Sequence, residues 1–165
     1  MDQIDELLEQ WKSERPDLDA SPMGILGRIT ALSHLTDRGL EEVLRPHGLS
    51  VPDYYVLGVL RRCGPPYCQP IGVLCDHSLL TSGAMTNRAD RLEEKGLVKR
   101  TANPEDRRGV LLALTKKGHK LVDQIAPERF KEAAERVSVL SKKDRQQLET
   151  LLTRFMAALT REPVA

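Results

Sequence analysis

Three observations predict a mainly α protein with a small β-hairpin wing: a winged helix-turn-helix whose terminal helices form a dimerisation region. Apolar residues make up 40% of the 165 and recur mostly at helical spacing, while aromatics are scarce. Residues 70–115 read in order as helix, turn, helix, strand, basic tip and strand. Charge is also unevenly placed. From Thr81 to Lys120 ten basic residues face five acidic ones, so this window carries +5 and the remainder −4, although the whole chain carries only +1. A basic patch on an otherwise acidic chain is the electrostatic footprint of a protein that attracts duplex DNA.

The elements follow from local signals. Ile4, Leu7, Leu8 and Trp11 lie at i, i+3, i+4 and i+7, one face of a helix over residues 2–14 that ends before Pro16. A second helix runs from about Met23 to Leu44, with Leu26, Ile29, Leu32, Leu40, Val43 and Leu44 on its apolar side, and stops at Pro46-His47-Gly48. A third, about Pro52 to Arg62, has Ser50 as its N-cap and Pro52 in its first turn. Being apolar nearly all round, it should be central and buried. After the winged segment, Thr115 caps a helix through about Val137 that Pro127 is expected to kink or break. Ser141 caps the last helix, whose stripe is Leu148, Leu151, Leu152, Phe155, Met156 and Leu159.

These elements make one domain over 1–165. Residues 1–48 supply N-terminal helices for dimerisation and a ligand pocket, 49–114 the winged helix-turn-helix, and 115–165 the C-terminal dimerisation helices. The apolar stripes at the two chain ends exceed what one small core needs. They are expected to pair across a two-fold axis in a homodimer.

The helix Ser82–Lys95 carries the chemistry. Thr81 is its expected N-cap and Gly96 its stop. At about 100° per residue, Met85, Ala89 and Leu92 face inward, and Gly83, Thr86, Asn87 and Asp90 lie opposite. Ser82, Gly83, Thr86 and Asn87 are small and polar, so this end can approach base edges and hydrogen-bond them. Arg91 joins them as a candidate DNA contact. The segments Gly96–Arg100 and Val110–Leu114 read as two strands, and Asn103–Gly109 between them has turn chemistry. A tip bearing Arg107 and Arg108 suits a narrow minor groove, with Asp106 as an orienting partner for Arg108. Arg88 lies about 60° off the inward line. A guanidinium half-buried there needs an acceptor: an acidic residue, a tyrosine hydroxyl or an anionic ligand.

Other chemistries have little support. There is no nucleophile elbow, glycine-rich phosphate loop or paired metal-ligand motif, so neither catalysis nor a cofactor or metal is expected. Cys63, Cys68 and Cys75 fit no common zinc spacing, and an odd count argues against a disulfide framework. Free cysteines leave a redox-sensing regulator as an alternative reading, although Cys75 best suits a small buried hydrophobe. A winged-helix module used only for protein contacts is a more remote one. No apolar run approaches a membrane span and the N-terminus is acidic, so the expected compartment is the cytoplasm.

Residues 49–125 resemble the MarR-type multiple-antibiotic-resistance regulators. The match is carried by SGAMTNRADRLEEKGLVKR, NPEDRRGVLLALT and KKGHKLVD in order and spacing. The resemblance implies a ligand-responsive homodimeric repressor or activator. Its recognition helices would enter successive major grooves of a palindromic operator and its wings the flanking minor grooves. Trp11 on an extra N-terminal helix, the loop ERPDLDASPMG and the phrase RRCGPPY are similar to a narrower PecS-like, urate-responsive branch that binds small anionic metabolites. That similarity implies ligand contacts from Trp11, Arg88 and Arg100, with Tyr55 as a further candidate contact and an effector that is small and anionic or aromatic. The branch's third-helix aspartate falls on Tyr55, and Asp53, two residues earlier, is expected to face another way.

Overall fold

The computed structural model describes residues 1–78, 82–104 and 109–160, with the side chains of Ser78 and Ser82 excepted. Thr81, Asp106, Arg107 and Arg108, to which the sequence assigns capping and wing-tip roles, lie outside the described residues. So does the side chain of Ser82.

Seven helices and three strands follow one another among the described residues: α1 (Gln3–Glu14), α2 (Ser21–Leu44), α3 (Val51–Arg62), β1 (Cys68–Pro70), α4 (Ile71–Ser78), α5 (Ser82–Glu94), β2 (Val98–Ala102), β3 (Val110–Leu114), α6 (Lys116–Val137) and α7 (Lys142–Thr160). A single 3-10 turn, Arg45–His47, closes α2. The mainly α architecture with its small wing is the one the sequence predicts. By contacts the chain divides into two compact units, Met1–Ile125 and a second beginning at Ala126.

Side-chain chemistry sets the helix ends. Ser50 caps α3 in a capping box: its hydroxyl accepts from the Asp53 amide, and the Asp53 carboxylate accepts from the Ser50 amide. The Thr115 hydroxyl accepts from the Gly118 amide at 3.0 Å, and that of Ser141 from the Asp144 amide at 3.2 Å. α5 ends in a Schellman turn. Leu97 N–H bonds the Leu92 carbonyl, Gly96 N–H bonds that of Glu93, and Gly96 sits at φ 67°, where a side chain would be strained.

The core is built around α3. Val56, Leu57 and Leu60 are fully buried with Leu40 and Leu44 of α2, Leu74 of α4, Met85, Ala89 and Leu92 of α5, Leu112 of β3 and Ile125 of α6. Each large aliphatic side chain here contributes about 1.5–3 kcal/mol of burial. Their spacing orients α5, because Met85, Ala89 and Leu92 can reach this core only from one side.

Two expectations need correction. The sheet has three strands in the order β1-β3-β2, all antiparallel, with Cys68 opposite Ala113 and Val98 opposite Leu114. β1 is too short to show an alternating pattern, and only its ladder to β3 makes it a strand. Of the kink or break expected at Pro127, the break is absent: α6 runs unbroken from Lys116 to Val137. Proline removes one backbone donor, and here the flanking turns keep the helix continuous.

Candidate nucleic-acid interface

The burial of Met85, Ala89 and Leu92 decides what α5 presents outward. Gly83, Thr86, Asn87 and Asp90 are exposed on the opposite face. The first turns of that face therefore carry side chains small enough for close approach and polar enough to bond base edges. Arg91 is half-exposed toward the side where α5 meets α3.

The same helix is anchored through its second half. Arg88 Nη1 donates to the Ser50 hydroxyl at 3.1 Å and to Asp53 Oδ1 at 3.2 Å. Arg91 Nε lies 3.8 Å from Asp53 Oδ2. Asp53 is fully buried. Burial pushes its carboxyl up, but the Ser50 amide and hydroxyl, then Arg88, then the charge of Arg91 outweigh that push and hold it below the usual carboxylate range.

Asp53 is thus the carboxylate that meets Arg88, which corrects the expectation that it faces away. Asp53 occupies the first turn of α3, where its capping-box bond to Ser50 turns it toward α5. Tyr55, about 200° further round α3, is 38% exposed. Of the acceptors open to Arg88, the structure selects an acidic residue together with a serine hydroxyl. Sequence reasoning missed Asp53, and the signal that could have found it is the S-x-x-D spacing of a capping box.

Arg100 on β2 is held by two carboxylates of α5. Its Nη2 lies 2.6 Å from Asp90 Oδ1, its Nη1 bonds Glu93, and its backbone N–H donates to Glu93 Oε1 at 2.9 Å. That backbone bond and then the guanidinium keep Glu93 below its ordinary range, while the paired carboxylates Asp90 and Glu93 raise Arg100. The base of the wing is in this way tied to α5. The Asn103 N–H bonds the Gly109 carbonyl and closes the hairpin towards its tip.

The other expected ligand contact, Trp11, is 48% exposed on α1. Cys63 is exposed and donates to the Leu60 carbonyl, whereas Cys75 packs against the core as a small hydrophobe. Among the described residues, no group of three His, Cys, Asp or Glu side chains is placed to hold a metal ion. No described helix is long and apolar enough to cross a membrane.

Known proteins share this arrangement. Residues 47–109 match the profile of the MarR family. The transcriptional regulator PecS of Dickeya dadantii is 32% identical over 152 residues, covering 92% of each chain. A mutant MarR of E. coli solved in complex with operator DNA superposes with a TM-score of 0.72 at 28% identity, over 88% of this chain and 96% of that one. AbsC of Streptomyces coelicolor shares the fold, with a TM-score of 0.77 at 22% identity over 86% of this chain and 96% of its own. These relatives are regulators and not enzymes. With a central winged helix-turn-helix and a relative of this identity along nearly its whole length, the chain belongs to the MarR family of transcriptional regulators.

Proposed function

We propose that this chain acts in the cytoplasm as a homodimeric repressor that binds a palindromic duplex operator and is released by a small anionic ligand. The exposed, small and polar start of α5 carries the reading. Gly83, Thr86 and Asn87 reach base edges in the major groove, with Ser82 beside them and Arg91 at the phosphates. The β2–β3 wing, tipped by Arg107 and Arg108, takes the flanking minor groove. DNA binding by the E. coli relative supports the assignment.

Dimerisation is supported by apolar side chains exposed on two helices. Met23, Ile25, Leu26, Leu32 and Leu35 are exposed on α2, and Leu148, Leu151, Leu152, Met156 and Leu159 on α7. Faces of this kind mark association surfaces. Residues 1–48 and 115–165 then form the dimer region and 49–114 the reading module.

Ligand release is supported by the two arginines with carboxylate partners. An anion beside Trp11 and Tyr55 would compete with Asp53 for Arg88, and with Asp90 and Glu93 for Arg100. Either exchange shifts the pose of α5, so ligand and DNA affinity are coupled.

Fluorescence anisotropy with random duplex DNA across a salt series tests the reading. Phosphate neutralisation gives a steep linear fall of log affinity against log salt. A chain with no attraction for duplex at low salt is not a DNA-binding regulator. Mass measurement by light scattering tests the dimer, and a thermal-shift panel of purines, aromatic acids and small carboxylates, followed by operator release, tests the ligand.

A further inference from the structure

Ten basic residues lie between Thr81 and Lys120, yet the fold turns several of them upon the chain itself. Arg88 and Arg100 meet carboxylates. Lys95 and Lys117 meet backbone carbonyls next to helix ends. We propose that Lys95 and Lys117 are positioning residues for DNA reading: they fix the far end of α5 and make no contact with phosphate. The proposal rests on α5 being the helix that meets DNA.

A helix leaves its last carbonyls without partners inside the helix. At the end of α5 the Schellman turn satisfies those of Leu92 and Glu93. The carbonyls of Lys95 and Gly96 are closed by residues 22 and 19 positions further on. Lys117 Nζ donates to the Lys95 carbonyl at 2.7 Å, Thr115 Oγ1 to that of Gly96 at 2.7 Å, and Thr115 N–H to that of Leu97 at 3.1 Å. The start of α6 therefore supplies the cap that α5 cannot supply itself. Gly118 lets this turn lie against Leu97, where a Cβ would collide with backbone.

A second ammonium reaches the other way. Lys95 is half-buried, and its Nζ donates to the Gly48 carbonyl at 2.5 Å. Gly48 follows the 3-10 turn that closes α2. The end of α5 is thus held between the turn before α3 and the start of α6, by cations placed where helix carbonyls favour them.

Position separates these lysines from the reading end. Lys95 stands about 12 Å along the helix axis from Asn87. A lysine that turned to DNA would also give up its carbonyl. Lys116 is the natural control: it is exposed, carries the same charge and makes no bond to another described residue.

The test is fluorescence anisotropy of the full chain with two duplexes, one selected by the wild type from a randomised pool and one scrambled at equal length, each over a potassium chloride series. Lys95→Met and Lys117→Met should each weaken the selected duplex about fivefold and the scrambled one less than about twofold. The slope of log affinity against log salt should stay that of the wild type. Lys117→Arg keeps a donor and should restore discrimination, and Lys116→Met should leave it intact. Hydrogen exchange without DNA is the second readout: amides 92–97 should exchange faster in Lys117→Met than in Lys116→Met. A slope shallower by about 0.9, with equal loss on both duplexes, makes the lysine a phosphate contact and overturns the proposal. So does unchanged discrimination, or exchange no faster than in Lys116→Met. A wild type that retains no duplex at low salt sinks the DNA reading itself, whereas a wild type that binds beside variants that discriminate equally well sinks the positioning role alone.

Discussion

The first two turns of α5 and its last two differ in what they touch. Gly83, Thr86 and Asn87 at the start are exposed. From Arg88 onward the helix is fastened from several directions: to α3 through Asp53 and Ser50, to β2 through Arg100, and to the α2–α3 turn where the Lys95 ammonium donates to the Gly48 carbonyl. The start of α6 adds the Lys117 ammonium on the Lys95 carbonyl at 2.7 Å. On the proposed reading, the exposed face at the start of α5 is left for DNA, while core packing of Met85, Ala89 and Leu92 and these polar contacts hold the helix in place. The contrast accounts for the acidic residues beside the proposed reading face: Asp90 and Glu93 hold Arg100 at the base of the wing.

The contrast can be broken most severely at Gly118. A Cβ there would stand 2.0 Å from the Leu97 carbonyl oxygen and 2.9 Å from its carbon, both backbone atoms. Gly118→Val should destabilise by roughly 3 kcal/mol or more, read as a lower urea midpoint. A variant with wild-type stability would show that α6 does not press on the end of α5.

Asp53→Asn comes next. It leaves two arginines facing a neutral amide, and because both are partly exposed the loss should be about 2 kcal/mol. The pH dependence has a definite sign. The folded-state carboxyl is depressed, so its contribution is present above the unfolded value of about 4 and is lost as pH falls through the folded one. The stability gap between wild type and Asp53→Asn should be full above the unfolded carboxyl value and close as pH falls through the lower, folded-state one. A gap that widens on acidification would mean that Asp53 is buried unpaired.

Arg100→Gln should have a smaller effect on stability, because its carboxylate partners are partly exposed. Its signature is faster hydrogen exchange in β2 with little change in Tm. Asn87→Ala should change stability by less than about 0.5 kcal/mol yet weaken operator binding about tenfold. If Asn87→Ala proves neutral for duplex affinity, the reading end is misassigned.

How much was legible in the chain depends on the range of the forces involved. Ser50, Thr115, Ser141 and Gly96 act within one turn, and each caps where its residue type predicts. The inward set Met85, Ala89 and Leu92 follows from periodicity alone. β1 exists through partners more than forty residues away, and Cys-Gln-Pro carries no local strand signal. Pro127 signals a break by its chemistry, but an already nucleated helix continues across it. At the candidate site, Arg88 was recognisable as needing an acceptor. Its partner was not, because the direction of Asp53 depends on a cap and a neighbouring helix together.

The central position of β3 has a consequence for variation among relatives. It is laddered to β1 on one side and β2 on the other, and it runs directly into the capped start of α6. Lengthening the chain anywhere from 110 to 118 would slip both ladders or displace α6. A change of length between 103 and 109 in the sequence leaves both ladders and the start of α6 in register, so that is where insertions are expected to cost least.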